Sequence, residues 1–271
     1  YKFSKLKLMS EFVQFANELA DESGKVIRKY FRSKMTIEDK EDESPVTIAD
    51  RQTETVMREM ISAKYPDHDI LGEEHGYVPT GSRWKWVLDP IDGTRSFVAG
   101  MPIFGTLISL LEDEVPQLGI IDIPMLGERW VGIPKQESFY YPDQQGGKAQ
   151  LCKVSGQEKI EKSILYSADP GMFNASQKPN FDRVAAQVKM VRYGGDCYSY
   201  GLLASGHIDL VVEADLKIYD VMALVPVIEN AGGVITDWQA NNSFDDAWDG
   251  CLLAAASQKL HAQALSLLQN T

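Results

Sequence analysis

Six strand-like segments follow one another between Asp69 and Tyr141, joined by short turns. In chain order they read DILG, WKWVLD, FGTLISLLED, LGIIDIP, RWVGI and ESFYY. Sequential strands with short connections favour antiparallel pairing, because parallel pairing needs a long crossover between strands. The sequence therefore predicts an antiparallel sheet in the first half of the chain.

Two helices are predicted before this sheet. Apolar residues from Phe12 onward recur at helical spacing and predict one long amphipathic helix from about Met9 to Phe31. A second helix is predicted from about Asp50 to Tyr65, where Pro66 stops it. The charged segment SKMTIEDKEDESPVT between them is predicted to be an exposed loop or hairpin.

The pattern changes after the polar, glycine-containing stretch Pro142–Gln150. The strand-like segments ILYSA, KMVRY, IDLVVEA, GGVITD and CLLAAAS are now separated by helical stretches, which is typical of α/β layering. We therefore predict an N-terminal α+β lobe over residues 1–145 and a C-terminal α/β lobe over residues 146–271, which together form one functional unit.

Charge and composition exclude several classes of protein. A net charge of −12 argues against a nucleic-acid partner, and apolar runs of strand length argue against a membrane span. Three scattered cysteines without a CxxC motif argue against a disulfide framework and favour a reducing compartment. We expect a cytoplasmic protein, or a plastid protein if a transit peptide preceded Tyr1.

Several acidic residues stand at predicted strand ends or helix starts. They are Asp50, Glu73, Glu74, Asp89, Asp92 and Asp220. Carboxylates gathered at one rim of a sheet would repel one another strongly unless a cation lay between them. Oxygen ligands suit Mg²⁺ or Mn²⁺, whereas the four histidines show no paired spacing that would indicate zinc.

The segment WVLDPIDGT places Asp89 and Asp92 three residues apart, with Pro90 between them. This spacing excludes the D-x-D-x-T arrangement of haloacid-dehalogenase-type phosphatases. Because proline cannot donate to a sheet ladder, we expect the strand to end at Asp89 and both carboxylates to face one point across a turn. The N–H groups of Gly93 and Thr94 could then bind phosphate oxygens if a helix starts there.

Each motif also has an ordinary structural interpretation. DPIDGT is compatible with a surface turn, GEE with a solvated acidic loop, and Asp50 with a helix N-cap. Asp220 is compatible with compensation of a helix dipole, and Glu213 with a strand-end charge in water. The occurrence of all these motifs in one chain and in this order favours a functional site.

Together the motifs resemble the inositol monophosphatase family, metal-dependent phosphatases with a layered fold. The resemblance covers essentially the whole chain and includes KEDESPVTIAD (Lys40–Asp50), GEE, DPIDGT and YDVMALVPVIENAGGVITDW. Tyr219 stands where the family usually has tryptophan, which leaves the following carboxylate in place. The resemblance implies an α/β (α+β) fold, a layered α/β/α/β/α sandwich of the inositol monophosphatase and sugar phosphatase type, and a homodimer.

The resemblance also assigns roles to residues. The ligands that it implies for a first metal are Glu73, Asp89 and the backbone carbonyl of Ile91, and those for a second are Asp89, Asp92 and Asp220. Asp50 and Thr94 would orient the attacking water, Glu73 would also act in catalysis, and the amides of Gly93 and Thr94 would cradle the phosphate. Two to three Mg²⁺ ions are expected, for which Mn²⁺ can substitute. Such a site would hydrolyse a small phosphate monoester by direct attack of activated water, with Asp92 a ligand rather than a nucleophile.

Two further carboxylates bear on the substrate. Glu213 lies seven residues before Asp220 and matches the family position that contacts the alcohol part of the substrate. Asp196 stands where inositol phosphatases typically carry a small neutral residue, and a carboxylate there suits a cationic alcohol. Asp196 is alternatively the N-cap of the helix that follows it.

The segment GGDCYSYGLLASGHIDLVVEADLKIYD resembles the histidinol-phosphatase branch of the family. This resemblance implies hydrolysis of L-histidinol phosphate in histidine biosynthesis. The alternatives are an inositol-1-monophosphatase or broad sugar-phosphate phosphatase, a nucleotide-type 3′-phosphatase, and a non-catalytic regulator that binds metal or phosphate.

Overall fold

The structure is a computed structural model that describes residues 2–33, 37–39, 45–144, 147–245 and 247–269. Its helices are α1 (Lys2–Tyr30), α2 (Ile48–Lys64), α3 (Thr94–Val98), α4 (Lys178–Ala185), α5 (Asp196–Ala204), α6 (Ile218–Val221), α7 (Leu224–Asn230) and α8 (Gln258–Gln269). Short 3₁₀ turns occur at Ile160–Lys162 and Pro170–Met172. Among the residues described, no helix combines the length and the apolar character needed to cross a membrane.

The first half of the chain forms an eight-stranded sheet. Its strands are β3 (Asp69–Gly72), β4 (Gly76–Val78), β5 (Trp84–Asp92), β6 (Gly105–Glu112), β7 (Val115–Ile123), β8 (Glu128–Gly132), β9 (Ser138–Tyr141) and β10 (Gln150–Leu151). They lie in the order β10-β9-β8-β7-β6-β5-β3-β4. All neighbours are antiparallel as predicted, except β3 and β5, which are parallel. β3 and β5 are parallel because the chain first reverses into β4, on the edge side of β3, and then reverses again into β5 on the other side of β3.

The second half of the chain forms a five-stranded sheet. Its strands are β11 (Ile164–Ser167), β12 (Met190–Tyr193), β13 (Leu210–Glu213), β14 (Val234–Thr236) and β15 (Leu252–Ala255), in the order β12-β11-β13-β15-β14. The strands β12, β11 and β13 are parallel, whereas β15 pairs antiparallel with both of its neighbours. Helices separate most of these strands along the chain, as the alternating pattern predicts.

Side-chain alternation along the strands builds five layers. Trp86 and Leu88 of β5 pack against α1 and α2, while Val87 between them points to the opposite face. On that face α5 and α7 fill the space between the two sheets. The outer face of the second sheet packs against α4 and α8, through Phe181 and Leu260 among others. The order of layers is therefore helix, sheet, helix, sheet, helix, as expected.

Two glycines let α7 and the turn before it approach the first sheet closely. A methyl group added at Gly119 would lie 2.1 Å from the carbonyl oxygen of Ala223, and one added at Gly132 would lie 2.4 Å from the backbone of Pro226. The hydroxyl of Ser138 donates to the carbonyl of Val227 at 2.9 Å and fixes the same contact. The central helical layer therefore rests directly on strand backbone.

The observed elements differ from the predicted ones in detail. Helix α1 begins at Lys2, seven residues before the predicted start, and α2 begins at Ile48, so Asp50 lies within its first turn and is not an N-cap. The segment predicted to be an exposed loop or hairpin forms a short hairpin of β1 (Ile37–Asp39) and β2 (Pro45–Thr47), while the start of the KEDESPVTIAD motif is outside the described residues. Strand β10 extends the first sheet beyond residue 145; the division into two lobes at that residue remains a prediction.

We expect Gly132→Ala to destabilise the protein by about 2–3 kcal/mol, because the added methyl overlaps the backbone of α7. Gly24→Ala in α1 is the matched control, since its methyl meets only the flexible side chain of Arg28, and it should be neutral or stabilising. Urea unfolding followed by circular dichroism measures both changes. Equal stability of the two variants would contradict the close packing of α7.

Candidate metal centre

The site begins where the parallel strands β3 and β5 end. Gly72 lies opposite Leu88, and the N–H of Glu73 donates to the carbonyl of Leu88 at 3.2 Å. Because the carboxyl ends of parallel strands meet at one edge of a sheet, Glu73, which directly follows β3, lies beside Asp89 of β5. This pairing brings the GEE and DPIDGT motifs together.

A bulge turns β5 between its two aspartates. Asp89 pairs with Leu107 and Asp92 pairs with Gly105, so two residues, Pro90 and Ile91, face only Thr106. The prediction that the strand ends at Asp89 is therefore wrong. Pro90 has no N–H to donate to the sheet, so the chain forms a bulge at this residue and then continues as strand to Asp92. The carboxylates of Asp89 and Asp92 therefore lie at the same edge of the sheet.

Buried hydroxyls hold this bulge in place. The hydroxyl of Thr106 donates to the carbonyl of Pro90 at 2.8 Å. Its oxygen lies 2.8 Å from that of Ser23 on α1, which must act as the donor because Thr106 has already used its only hydrogen. Both residues are fully buried. A carbonyl that the bulge removes from the sheet ladder is thus satisfied by a side chain.

Three aspartates converge at this point from distant parts of the sequence. One carboxylate oxygen from each of Asp89, Asp92 and Asp220 lies within 4.8 Å of the others. Asp220 comes from α6, where its other role is local, since the N–H of Lys217 donates to its carboxylate at 2.7 Å. The predicted compensation of the helix terminus and the predicted ligand position are therefore compatible at Asp220.

Burial raises the pKa values of all three aspartates, and repulsion from neighbouring carboxylates raises those of Asp89 and Asp92 further. The pKa of Asp89 lies well above its usual value because the side chain is buried and because Glu73, Asp92 and Asp220 are negatively charged. Burial also raises the pKa of Asp92, with further increases from Asp196 and Asp220. Burial raises the pKa of Asp220 to about 6. Negative charge at this point is therefore unfavourable in the protein alone.

The donor set fits a hard divalent cation. The Oδ1 atom of Asp89 is buried and has no hydrogen-bond partner among the residues described. A buried carboxylate oxygen in this state lacks the compensation that such groups normally receive. One oxygen from each of Asp89, Asp92 and Asp220 contributes to an all-oxygen cluster of the kind that binds Mg²⁺ or Mn²⁺.

The other residues predicted for the metals and the water lie around this cluster. Glu73 is not among the three clustered aspartates, but its charge is, after burial, the largest cause of the raised pKa of Asp89. Asp50 is buried in α2 and also raises that pKa. The carbonyl of Ile91 accepts a hydrogen bond from the hydroxyl of Thr94 at 3.1 Å.

Helix α3 begins directly after Asp92. Gly93 has a φ of 84°, a conformation that favours glycine, and the N–H of Phe97 donates to its carbonyl at 3.0 Å. A methyl group added at Gly93 would lie 2.6 Å from Oδ2 of Asp196. A helix starts where the phosphate-binding prediction requires one, and Asp196 lies against its first turn.

Asp196 and Glu213 reach this edge from the second half of the chain. The hydroxyl of Ser96 donates to Asp196 at 2.5 Å, and the N–H of Cys197 donates to Asp92 at 2.5 Å, so the start of α5 is bound to the DPIDGT segment. Asp196 is the first residue of α5, whose N-cap is Gly195, so the N-cap interpretation of Asp196 is wrong.

Glu213 is buried at the end of β13, contrary to its interpretation as a strand-end charge in water. Its carboxylate accepts hydrogen bonds from the hydroxyl of Tyr200 at 2.7 Å and the N–H of Ala168 at 2.9 Å. Burial raises its pKa to about 7, although these two hydrogen bonds lower it. A nearby cation would hold this group in its ionised form.

Several residues that support the site were missed by the sequence analysis. Thr106 and Ser96 are neutral side chains that give no pattern signal in a single sequence. Arg95, beside Thr94, forms an ion pair with Asp169 of the second half at 2.9 Å. Glu54 carried a detectable signal, since it is an acidic residue one helical turn after Asp50 on the same face.

Comparison with known proteins identifies the family of this chain. Residues 8–271 match the inositol monophosphatase family, and the chain belongs to that family of phosphatases. The bifunctional phosphatase IMPL2 of Arabidopsis thaliana, described as chloroplastic, is 43 % identical over 96 % of this chain and 76 % of its own length. A histidinol-phosphatase of Chlorobaculum parvum is 34 % identical over 88 % of this chain and 90 % of its own.

The fold comparison agrees with this family. A solved inositol monophosphatase from Zymomonas mobilis aligns with a TM-score of 0.85 and 39 % identity, over 96 % of this chain and 98 % of that one. The predicted family and the mixed α/β fold with two sheets are therefore confirmed.

We expect the stability of the metal-free protein to fall as the pH rises from about 4 to 8. The folded-state pKa of Asp220, about 6, exceeds the usual 3.8, so the folded chain holds this proton more tightly than the unfolded chain and loses that advantage on ionisation. Urea unfolding in EDTA should show Asp220→Asn with a shallower pH slope and about 1–2 kcal/mol more stability at pH 8. Identical slopes for the variant and the wild type would contradict the raised pKa of Asp220.

We expect Thr106→Val to destabilise the protein by about 1–3 kcal/mol, because the buried carbonyl of Pro90 loses its donor. The bulge should also relax, which should weaken binding of Mg²⁺ measured by calorimetry. Thr106→Ser retains the hydroxyl and is the matched control. If both variants bind Mg²⁺ like the wild type, the bulge does not depend on this hydrogen bond.

Proposed function

We propose that this protein is a Mg²⁺-dependent phosphomonoesterase that hydrolyses L-histidinol phosphate to L-histidinol and phosphate in histidine biosynthesis. The observation that carries the substrate assignment is the carboxylate of Asp196, which lies against the first turn of α3 beside Gly93 and Ser96. An acidic group at that point favours an alcohol that carries a positive charge. L-histidinol carries both an amine and an imidazole.

Glu213 supports the same assignment. Each of its oxygens accepts one hydrogen bond from the protein, so each keeps a lone pair for a substrate donor. Its raised pKa and that of Asp196, both due mainly to burial, indicate that a cationic partner would stabilise the ionised forms. Two such carboxylates offer little advantage to a neutral polyol.

The residues proposed to hold the ions are Glu73, Asp89, Asp92, Asp220 and the carbonyl of Ile91. Bound Mg²⁺ supplies Lewis acidity that activates water and neutralises charge on the phosphoryl group. Thr94 donates its hydroxyl hydrogen to Ile91, so its oxygen is left to accept a hydrogen bond from the attacking water, which Asp50 orients from α2. The amides of Gly93 and Thr94 are proposed to bind phosphate oxygens, and Asp92 acts as a ligand and not as a nucleophile.

Hydrolysis of inositol 1-phosphate is the second candidate. It is favoured by the 39 % identity to an inositol monophosphatase of known structure and by the name of the plant relative, a bifunctional phosphatase. The chloroplastic description of that relative also supports a plastid location for this protein, with the cytoplasm as the alternative. A homodimer is proposed on the family resemblance and can be measured by light scattering.

We expect histidinol phosphate to give a higher kcat/KM than inositol 1-phosphate or fructose 1,6-bisphosphate in a Mg²⁺-dependent phosphate-release assay. Asp196→Asn should lower kcat/KM about 10- to 100-fold for histidinol phosphate, as expected for the loss of a charge-assisted hydrogen bond. Asparagine is the matched replacement, because Asp196 has a φ of 43° and asparagine tolerates that region.

The same variant should change kcat/KM for inositol 1-phosphate less than about threefold. Equal losses on both esters would assign Asp196 to the structure of the site and not to selectivity. A wild-type preference for inositol 1-phosphate would overturn the histidinol assignment. Turnover of none of the three esters would favour a non-catalytic regulator.

A further inference from the structure

Glu54 is a fully buried carboxylate for which the proposed reaction has no use. It lies in α2 one turn after Asp50, on the face that packs towards β5 and the end of β3 at Gly72. A buried carboxylate is costly unless ion pairs and hydrogen bonds compensate it. Its surroundings therefore indicate what it does.

The carboxylate of Glu54 binds the backbone that directly follows Glu73. Its Oε2 atom accepts the N–H of Glu74 at 2.7 Å, and its Oε1 atom accepts the N–H of His75 at 3.2 Å. Two charge-assisted hydrogen bonds from successive amides fix both the position and the orientation of this peptide segment. The loop between β3 and β4 is thus tied to α2 at the point where it leaves Glu73.

The backbone before Glu73 contacts the same group. A methyl group added at Gly72 would lie 2.1 Å from Oε1 of Glu54 and 2.4 Å from its carboxylate carbon. Glycine is therefore needed at this position because the carboxylate packs directly against the end of β3. The Glu54 carboxylate therefore contacts the backbone on both sides of Glu73, at Gly72 before it and at Glu74 after it.

Arg58 completes the arrangement. Its Nε donates to Oε1 of Glu54 at 2.6 Å, which supplies the compensating charge, and its other end donates to the carbonyl of Gly76 at the start of β4. The Glu54–Arg58 pair therefore spans the loop from Glu74 to Gly76. Residues one helical turn apart can act together in this way because they share a helix face.

We propose that Glu54 is a positioning residue of the metal centre, which fixes Glu73 relative to α2. The same helix face carries Asp50. One rigid helix, α2, therefore fixes the positions of both Glu73, the proposed metal ligand, and Asp50, the residue proposed to orient water. The role rests on the proposed function of Glu73 as a metal ligand. Groups that orient ligands in this way typically change metal affinity or activity about 10- to 100-fold when they are replaced.

Glu54→Gln tests this role, because a carboxamide has only one oxygen. Its NH₂ group would face a donor in either orientation: the N–H of Glu74 at the position of Oε2, or Arg58 and the N–H of His75 at the position of Oε1. Mg²⁺ binding to the metal-free protein, measured by calorimetry without substrate, should be about 10-fold weaker, with a higher Mg²⁺ requirement for turnover. Glu59→Gln is the matched control, since it makes the same charge change at an exposed position of α2 and should bind Mg²⁺ like the wild type.

Three results would decide the proposal. If Glu54→Gln lowers the unfolding midpoint but binds Mg²⁺ within about twofold of the wild type, Glu54 is structural and the proposal is overturned. If this variant does not fold, Arg58→Lys replaces it. Lysine keeps the charge but offers one nitrogen in place of the two guanidinium nitrogens that bond Glu54 and Gly76, so it should hold the loop less firmly. Unchanged Mg²⁺ affinity of this variant overturns the proposal, and weaker binding supports it.

Glu73→Gln, measured in parallel, separates this proposal from the proposed function. If Glu73→Gln itself leaves Mg²⁺ binding unchanged, the ligand role of Glu73 fails, and the positioning role fails with it. If Glu73→Gln weakens binding and Glu54→Gln does not, only the positioning role fails.

Discussion

The repulsion among buried carboxylates at the ends of β3 and β5 is the constraint on which the rest of this structure depends. One carboxylate oxygen from each of Asp89, Asp92 and Asp220 lies within 4.8 Å of the other two, in surroundings that raise the pKa values of these groups. A protein that gathers charges in this way must hold them rigidly, because free side chains would move apart. A divalent cation bound between these carboxylates would neutralise the repulsion among them.

That rigidity comes from neutral and backbone groups around the carboxylates. Thr106 satisfies the carbonyl that the bulge in β5 releases, and the N–H of Cys197 at the start of α5 donates to Asp92. Glu54 binds the amides that follow Glu73. Groups from three different elements, β6, α5 and α2, thus fix the segments that carry the carboxylates of the site.

The sequence pattern predicted much of this arrangement, and its errors have physical causes. The spacing of apolar residues predicted most of the strands and both long helices, because burial of one face imposes a period of about two residues on a strand and about 3.6 on a helix. Pro90 was expected to end β5, but proline only removes a donor, and a bulge supported by Thr106 absorbs that loss. Asp50 and Asp196 were open to interpretation as N-caps, since a helix start cannot be located to within two residues from sequence.

By itself, the sequence determined the order of the elements, the carboxylates at the strand ends and the family to which the chain belongs, because periodicity, spacing and motifs are local properties. Only the tertiary structure decided which residues share the site. Thr106, Ser96 and Glu54 act through contacts with residues that are between 16 and 100 positions away along the chain. Such contacts depend on how layers pack, and no local pattern in one sequence records them.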